Sequence, residues 1–204
     1  MSIYTPFSFT ATVKCQTPGF EGFLDVHEVQ SFDTAEGAVG ARQTSNYLTV
    51  NNFYNYKDVD RAERCQFRFV CVRAFNGRLL YSINVRATAG GLECEVGLSP
   101  LTGWLSLNPL DGPPTRLWCL SCPNGKLAPT QTGKFPGITL LRYDGQSEGD
   151  YGNCAALPSK AAERCLSPQG RYDSGKYWNA FLKASGGEGD PRFTADLYVT
   201  SVGG

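Results

Sequence analysis

Apolar and polar residues alternate with a period of two along much of this chain, most clearly between Cys65 and Leu98. That period belongs to strands with one buried face. The stretch reads CQFRFVCVRAFNGRLLYSINVRATAGGLECEVGL: two alternating runs about Asn76-Gly77, then Gly90-Gly91, then a third run. Asn-Gly supplies the positive backbone angles of a tight hairpin. Register decides the loop length. A two-residue loop would set Phe67 and Phe69 opposite Arg86 and Asn84. A three-residue loop, Phe75-Asn76-Gly77 with Gly77 in a bulge, pairs Cys71 with Tyr81, Phe69 with Ile83, Phe67 with Val85 and Cys65 with Ala87. One face is then apolar, so the three-residue loop is expected. Leu92, Cys94, Val96 and Leu98 give the third strand its apolar side.

The same pattern recurs outside this meander. Phe7, Phe9, Ala11, Val13 and Cys15 alternate with Ser8, Thr10, Thr12 and Lys14, and after Pro18-Gly19 the run FLDVHEV at 23–29 is a partner strand. Residues 31–46 are small and polar and read as a connection; Tyr47 to Val50 reads as a short strand. Breakers through 100–114 exclude regular helix. Strands are predicted at Thr115 to Leu120, 137–143, Tyr177 to Ala184 and Phe193 to Val202, and a short helix around Ser159 to Arg164. About ten short strands between turn signals predict an all-β fold, an antiparallel β-sandwich or jelly-roll-like barrel with long irregular loops. Residues 1–204 form one domain on this reading, with the Pro-rich segment 108–114 as the only place to divide it.

Composition narrows the function classes. Nineteen Lys plus Arg balance nineteen Asp plus Glu, so no net field draws in nucleic acid or an anionic membrane. No run approaches the ~20 apolar residues of a membrane-spanning helix. The start, MSIYTPFSFTATVKC, lacks the basic and apolar segments of a secretory signal. Eight cysteines in a leaderless chain are reconciled with oxidation if the protein leaves its cell by lysis, as a virus particle does.

Cys15, Cys65, Cys71, Cys94, Cys119, Cys122, Cys154 and Cys165 are therefore expected mainly as disulfides. Cys65 and Cys71 share a strand and stand roughly 20 Å apart at the usual rise, too far to bridge each other. Cys119-x-x-Cys122-Pro-Asn-Gly resembles one zinc knuckle, making these two the metal alternative, although a second such pair is missing. Buried free thiols are the bland alternative. Asp144, Gln146, Glu148 and Asp150 place oxygens at every second position, a pattern that calcium could use but that lacks the full loop of an EF-hand and reads as a solvated turn. No cofactor is expected.

His27, the single histidine, would have to serve any Ser-His-Asp or Cys-His nucleophile, yet it lies mid-strand without a nucleophile signature. Phe53, Tyr54 and Tyr56 in an Asn-rich loop, with Trp104 and Trp178, are candidates for protein or sugar contact. The expectation is a non-enzymatic structural subunit of a larger assembly, specifically a virion component such as a phage tail, baseplate or capsid-decoration protein. Its partners would be other subunits, including copies of itself, bound through the first and last strands as open sheet edges. A carbohydrate- or receptor-binding module is the alternative. A glycan-cleaving enzyme using carboxylates such as Asp25 and Glu28 comes third.

Overall fold

The computed structural model describes residues 5–32, 42–52, 65–75, 78–86, 93–99, 104–112, 114, 116–123, 128–143, 163–174, 177–184 and 192–203. Within them lie β1 (Phe9–Cys15), β2 (Gly22–Phe32), β3 (Arg42–Asn51), β4 (Phe67–Phe75), β5 (Arg78–Arg86) and β6 (Glu93–Leu98). The second half contributes β7 (Leu105–Pro109), β8 (Leu117–Ser121), β9 (Gly133–Tyr143), β10 (Glu163–Ser174), β11 (Tyr177–Ala184) and β12 (Ala195–Val202). Hydrogen-bonded neighbours run β3-β2-β1-β12-β9-β8-β5-β6-β7 and return to β3 through Tyr47↔Ser106, closing a nine-stranded antiparallel barrel. The extra strands are β4, which bridges β1 and β5, and the β10–β11 pair, which links β9 to β3. The all-β expectation holds.

Four strands share one edge between two partners placed end to end, among them β5, which meets β8 at Leu80–Tyr81 and β6 at Asn84–Arg86 across from its β4 edge. The second edge of β1 pairs with β4 at Phe9–Ala11 and with β2 at Lys14–Cys15. β9 meets β12 from Gly133 to Ile138 and β10 from Leu141 to Tyr143. β3 meets β11 at Thr49–Asn51 and β7 at Tyr47.

The terminal strands are not open edges, which corrects the expectation that neighbouring subunits bind there. β1 and β12 pair with each other from Phe9↔Val202 to Cys15↔Ala195, and β12 is flanked on its other side by β9. Long, regular, sparsely charged strands such as these are satisfied inside a sheet.

The core follows the alternation. Phe9, Ala11, Val13 and Cys15 of β1 and Ala195, Leu197 and Val199 of β12 are buried together with Phe67, Phe69, Tyr81, Ile83, Val85 and Trp118. At one end Phe9 stacks on its cross-strand partner Phe69 at 4.5 Å, and Tyr81 meets both rings edge-on at 5.7 and 6.1 Å. β5, β8 and β9 are buried on both faces: Leu80, Leu117, Cys119, Leu141 and Tyr143 form a second cluster on the side away from the main core. The near-continuous apolar runs LWCL and ITLL are what such strands require.

The central hairpin has the expected register, with Phe67↔Val85, Phe69↔Ile83, Cys71↔Tyr81 and Arg68↔Asn84. Its origin differs. Pairing continues to Phe75↔Arg78, so only Asn76 and Gly77 separate the strands, and the register shifts between Cys71 and Arg73. The extra residue is Val72, not Gly77. A two-residue Asn-Gly loop matches the strand twist, and a bulge on the strand restores the apolar face.

Other boundaries also move. β2 and β3 extend to Phe32 and from Arg42, into the segment expected as connection. β7 forms among the Pro and Gly breakers and pairs with β6 from Cys94↔Pro109 to Leu98↔Leu105. Glu163 and Arg164, expected at a helix end, open β10 opposite Tyr143 and Arg142, while 159–162 lie outside the described residues.

A second irregularity ties β9 to β12. Ala195 faces Ile138 and Leu197 faces Phe135, so Asp196 stands opposite both Pro136 and Gly137. Pro136 has no N–H to give, and Gly137 takes a positive φ of 68°. The Gly137 N–H donates to Asp196 Oδ1 at 3.2 Å, Gln16 Nε2 donates to Oδ2 at 2.9 Å, and Lys134 Nζ lies 2.9 Å from Oδ2.

Candidate functional site

Strand alternation builds an aromatic and polar surface on the outward side of β2, β3 and β11. On β11, Ala180 and Leu182 are buried, so Asn179, Phe181 and Lys183 face the other way and are half-buried. On β3 the same alternation turns Tyr47 outward beside buried Leu48; on β2 it turns Asp25 and His27 outward beside buried Leu24. Cross-strand pairing sets His27 beside Tyr47, and Asp25 beside Thr49 and then Phe181. Trp104, just before β7, joins through a bridge to Lys183.

The rings lock one another in place. Trp104 and Phe181 stack in parallel at 4.3 Å, and Tyr47 stands nearly perpendicular to both at 5.7 and 5.8 Å. His27 meets Phe181 edge-on at 6.5 Å, and its Nδ1 lies 3.3 Å from Asn179 Nδ2. Asn51 Nδ2 donates to Asp25 Oδ2 at 3.3 Å. Three strands and the residue before β7 therefore deliver three aromatic rings, an imidazole, amides, a carboxylate and an ammonium to one face. Such a surface can stack on a ligand and take hydrogen bonds at its rim.

His27 does not face an activated nucleophile among the described residues. The Cys65 thiol feels the charge of Asp25 on this surface, and that charge reinforces burial in pushing its pKa up and keeping it protonated. A nucleophilic thiol needs the opposite shift.

The cysteines correct the disulfide expectation. Cys15, Cys65, Cys71, Cys94, Cys119 and Cys122 are all thiols outside any disulfide. Burial dominates the raised pKa values of Cys15, Cys65, Cys71, Cys94 and Cys122, with Cys71 pushed up to about 11. Buried thiols held protonated pack as small apolar groups. Cys119 and Cys122 diverge: Cys119 sits in the second cluster and Cys122 packs against the main core. No three His, Cys, Asp or Glu side chains converge as a metal site among the described residues. Cys165 stands on β10 opposite Leu141. Cys154, Phe53, Tyr54, Tyr56, Asp144 and Asp150 lie outside the described residues.

Of the expected contact aromatics, Trp104 belongs to the outward surface, and Trp178 packs edge-on against Phe20 at 6.2 Å. Sequence reasoning passed over Tyr47, Asn179 and Phe181. The signal was present in WNAFLKA: where Ala180 and Leu182 face the core, Phe181 has to face away from it.

A gap of about 10 Å³ in the interior is lined by apolar side chains including Val13, Leu24, Phe67, Ile83 and Leu140. Among the described residues no helix is long and apolar enough to cross a membrane.

Compared with known proteins, the chain matches no family model, no curated protein and no solved structure. Nothing found links it to phage or virion proteins, so that specific expectation is withdrawn.

Proposed function

We propose that this chain is an interaction subunit of a larger assembly, working by strand addition at its β2–β3 arm. One observation carries the reading. Beyond Phe23, β2 has β3 as its sole strand neighbour among the described residues, and Arg42–Asn46 of β3 has only β2. Pairing from Glu28↔Asn46 to Phe32↔Arg42 therefore forms a ribbon whose outer edges have no strand partner among the described residues. An isolated two-stranded ribbon is marginal in water, and its open edges are templates for another strand. The segment EVQSF has a single charged residue, Glu28, to blunt that edge. The partner strand is β2 of a second copy, because antiparallel pairing about a two-fold axis uses the same edge on both subunits and closes the dimer.

Sedimentation over a concentration series tests this. Self-association is expected, and proline scanning locates it. Successive N–H groups of a strand point to opposite edges, so one of Val29→Pro and Gln30→Pro removes an outward donor. That variant should stay monomeric while melting with the parent monomer. A parent that remains monomeric at high concentration overturns the reading.

A further inference from the structure

We infer that the outward surface formed by Tyr47, Trp104, Phe181, His27, Asn179 and Lys183 binds a neutral pyranose oligosaccharide. It lies on the face of the sheet, away from the β2 edge invoked for assembly, and stands independently of that reading.

A pyranose ring presents a patch of C–H bonds on one face and hydroxyls around its rim. The C–H patch carries partial positive charge and packs on the negative face of an aromatic ring. The hydroxyls need donors and acceptors placed at the margin of that ring. Both requirements are met here. Tyr47, Trp104 and Phe181 are each half-buried, so each keeps ring surface accessible while its neighbours fix its orientation. At the margin stand the exposed His27 imidazole, the Asn179 amide bonded to it, and Lys183 beside Trp104. Imidazole and amide groups can each serve as donor or acceptor, as a hydroxyl requires.

Charge and rigidity favour this ligand over others. Among the described residues Asp25 and Lys183 put one charge of each sign on this face, without the cationic stripe that an anionic polymer would need. A wholly apolar peptide would strip water from the imidazole, amide and ammonium groups without replacing their hydrogen bonds. Tyr47 and Phe181 are carried by strands and Trp104 by a bridge to β11, so little ordering entropy is lost on binding.

The test is calorimetry and tryptophan fluorescence of the full chain with cellohexaose, xylohexaose, mannohexaose, maltohexaose and chitohexaose. Binding of at least one sugar with a micromolar to millimolar Kd is expected, with a change in indole emission because Trp104 lies in the surface. Tyr47→Ala and His27→Ala should each weaken that binding by about tenfold or more. Arg68→Ala, on an exposed side chain of β4, should leave it unchanged. His27 is exposed, so its variant keeps the fold and serves as the control if Tyr47→Ala does not. Silence from all five sugars at millimolar concentration, or binding that survives His27→Ala at full strength, overturns the inference.

Discussion

The carboxylate of Asp196 caps the backbone N–H of Gly137 across the bulge between β12 and β9, at 3.2 Å. The side chain of Asp196 is 8 % exposed, and it also accepts from Gln16 on the chain just after β1. It thus ties three parts of the barrel where the backbone ladder is interrupted. Asp196→Ala should cost about 2–4 kcal/mol, since it leaves buried donors without an acceptor. Asp196→Asn, which keeps an oxygen for Gly137, should cost about half as much. Urea denaturation of the two variants checks the order. Lys134→Ala should matter little, because its ammonium is largely in water.

Phe69 and Arg68 are neighbours on opposite faces of β4. Phe69 is buried against Phe9 and Tyr81, so Phe69→Ala should cost about 3–5 kcal/mol. Arg68 is exposed and 3.9 Å from Glu93, so Arg68→Ala should cost less than about 1 kcal/mol. Equal unfolding midpoints for these variants would contradict the register.

The hydroxyl of Tyr81 is buried without a hydrogen-bond partner among the described residues, while the ring completes the Phe9–Phe69 cluster. Burial, with the nearby thiols Cys71 and Cys122, pushes the phenol's pKa up. An unsatisfied buried polar group costs about 1–3 kcal/mol, so Tyr81→Phe should be neutral or raise the melting temperature. A clear loss of stability would show that the hydroxyl has a partner.

The thiols predict an alkaline limit. Cys71 is held protonated in the fold, its pKa moved from 9.0 to about 11, chiefly by burial. A raised folded-state pKa gives stability that is complete below pH 9.0 and is lost as pH climbs toward about 11. Cys71→Ala should flatten the decline of unfolding free energy over that interval, whatever its effect at neutral pH. Under native conditions iodoacetamide should label half-buried Cys94 and Cys122 before buried Cys15, Cys71 and Cys119. A mass deficit from bridges among these five and Cys65 would overturn the free-thiol assignment.

Two glycines near the β1–β2 turn should respond oppositely. A Cβ at Gly22 would collide with the backbone carbonyl of Asn51, so Gly22→Ala should cost more than about 3 kcal/mol. Gly19 has φ +83° and open space around it, so Gly19→Ala should cost only the left-handed backbone penalty of about 1–2 kcal/mol. Paired thermal melts distinguish them.

Much of this was readable in the residues. Alternation in FTATVKC and ADLYVTSV marked which side of β1 and β12 is buried, and Tyr177 to Ala184 matches β11 end to end. Hairpin register was legible because a slip by one would have exposed Phe67 and Phe69. Bulge position was not, since Val72 and Gly77 give the same pairing beyond the bulge. Burial of Glu95 at 2 % also escaped, because β6 looks one-sided; its carboxylate accepts from the Arg116 N–H, a contact 21 positions away. Of the outward surface, Trp104 was visible as a residue. Its meeting with Phe181 was not, because neighbours across a sheet leave no mark in local periodicity.

The place of β12 has a consequence for how the chain comes off the ribosome. β12 is made after every other described strand, yet it lies between β1, made before all of them, and β9. Until residues 195–202 emerge, β1 has no partner on that side and the apolar faces of Phe9, Val13 and Ile138 stay uncovered. Closure must bring together residues 193 positions apart, from Phe9 to Val202. Long-range pairing of this kind is slow. The nascent chain should therefore emerge as a chaperone client, and it should become protease-resistant in a single late step.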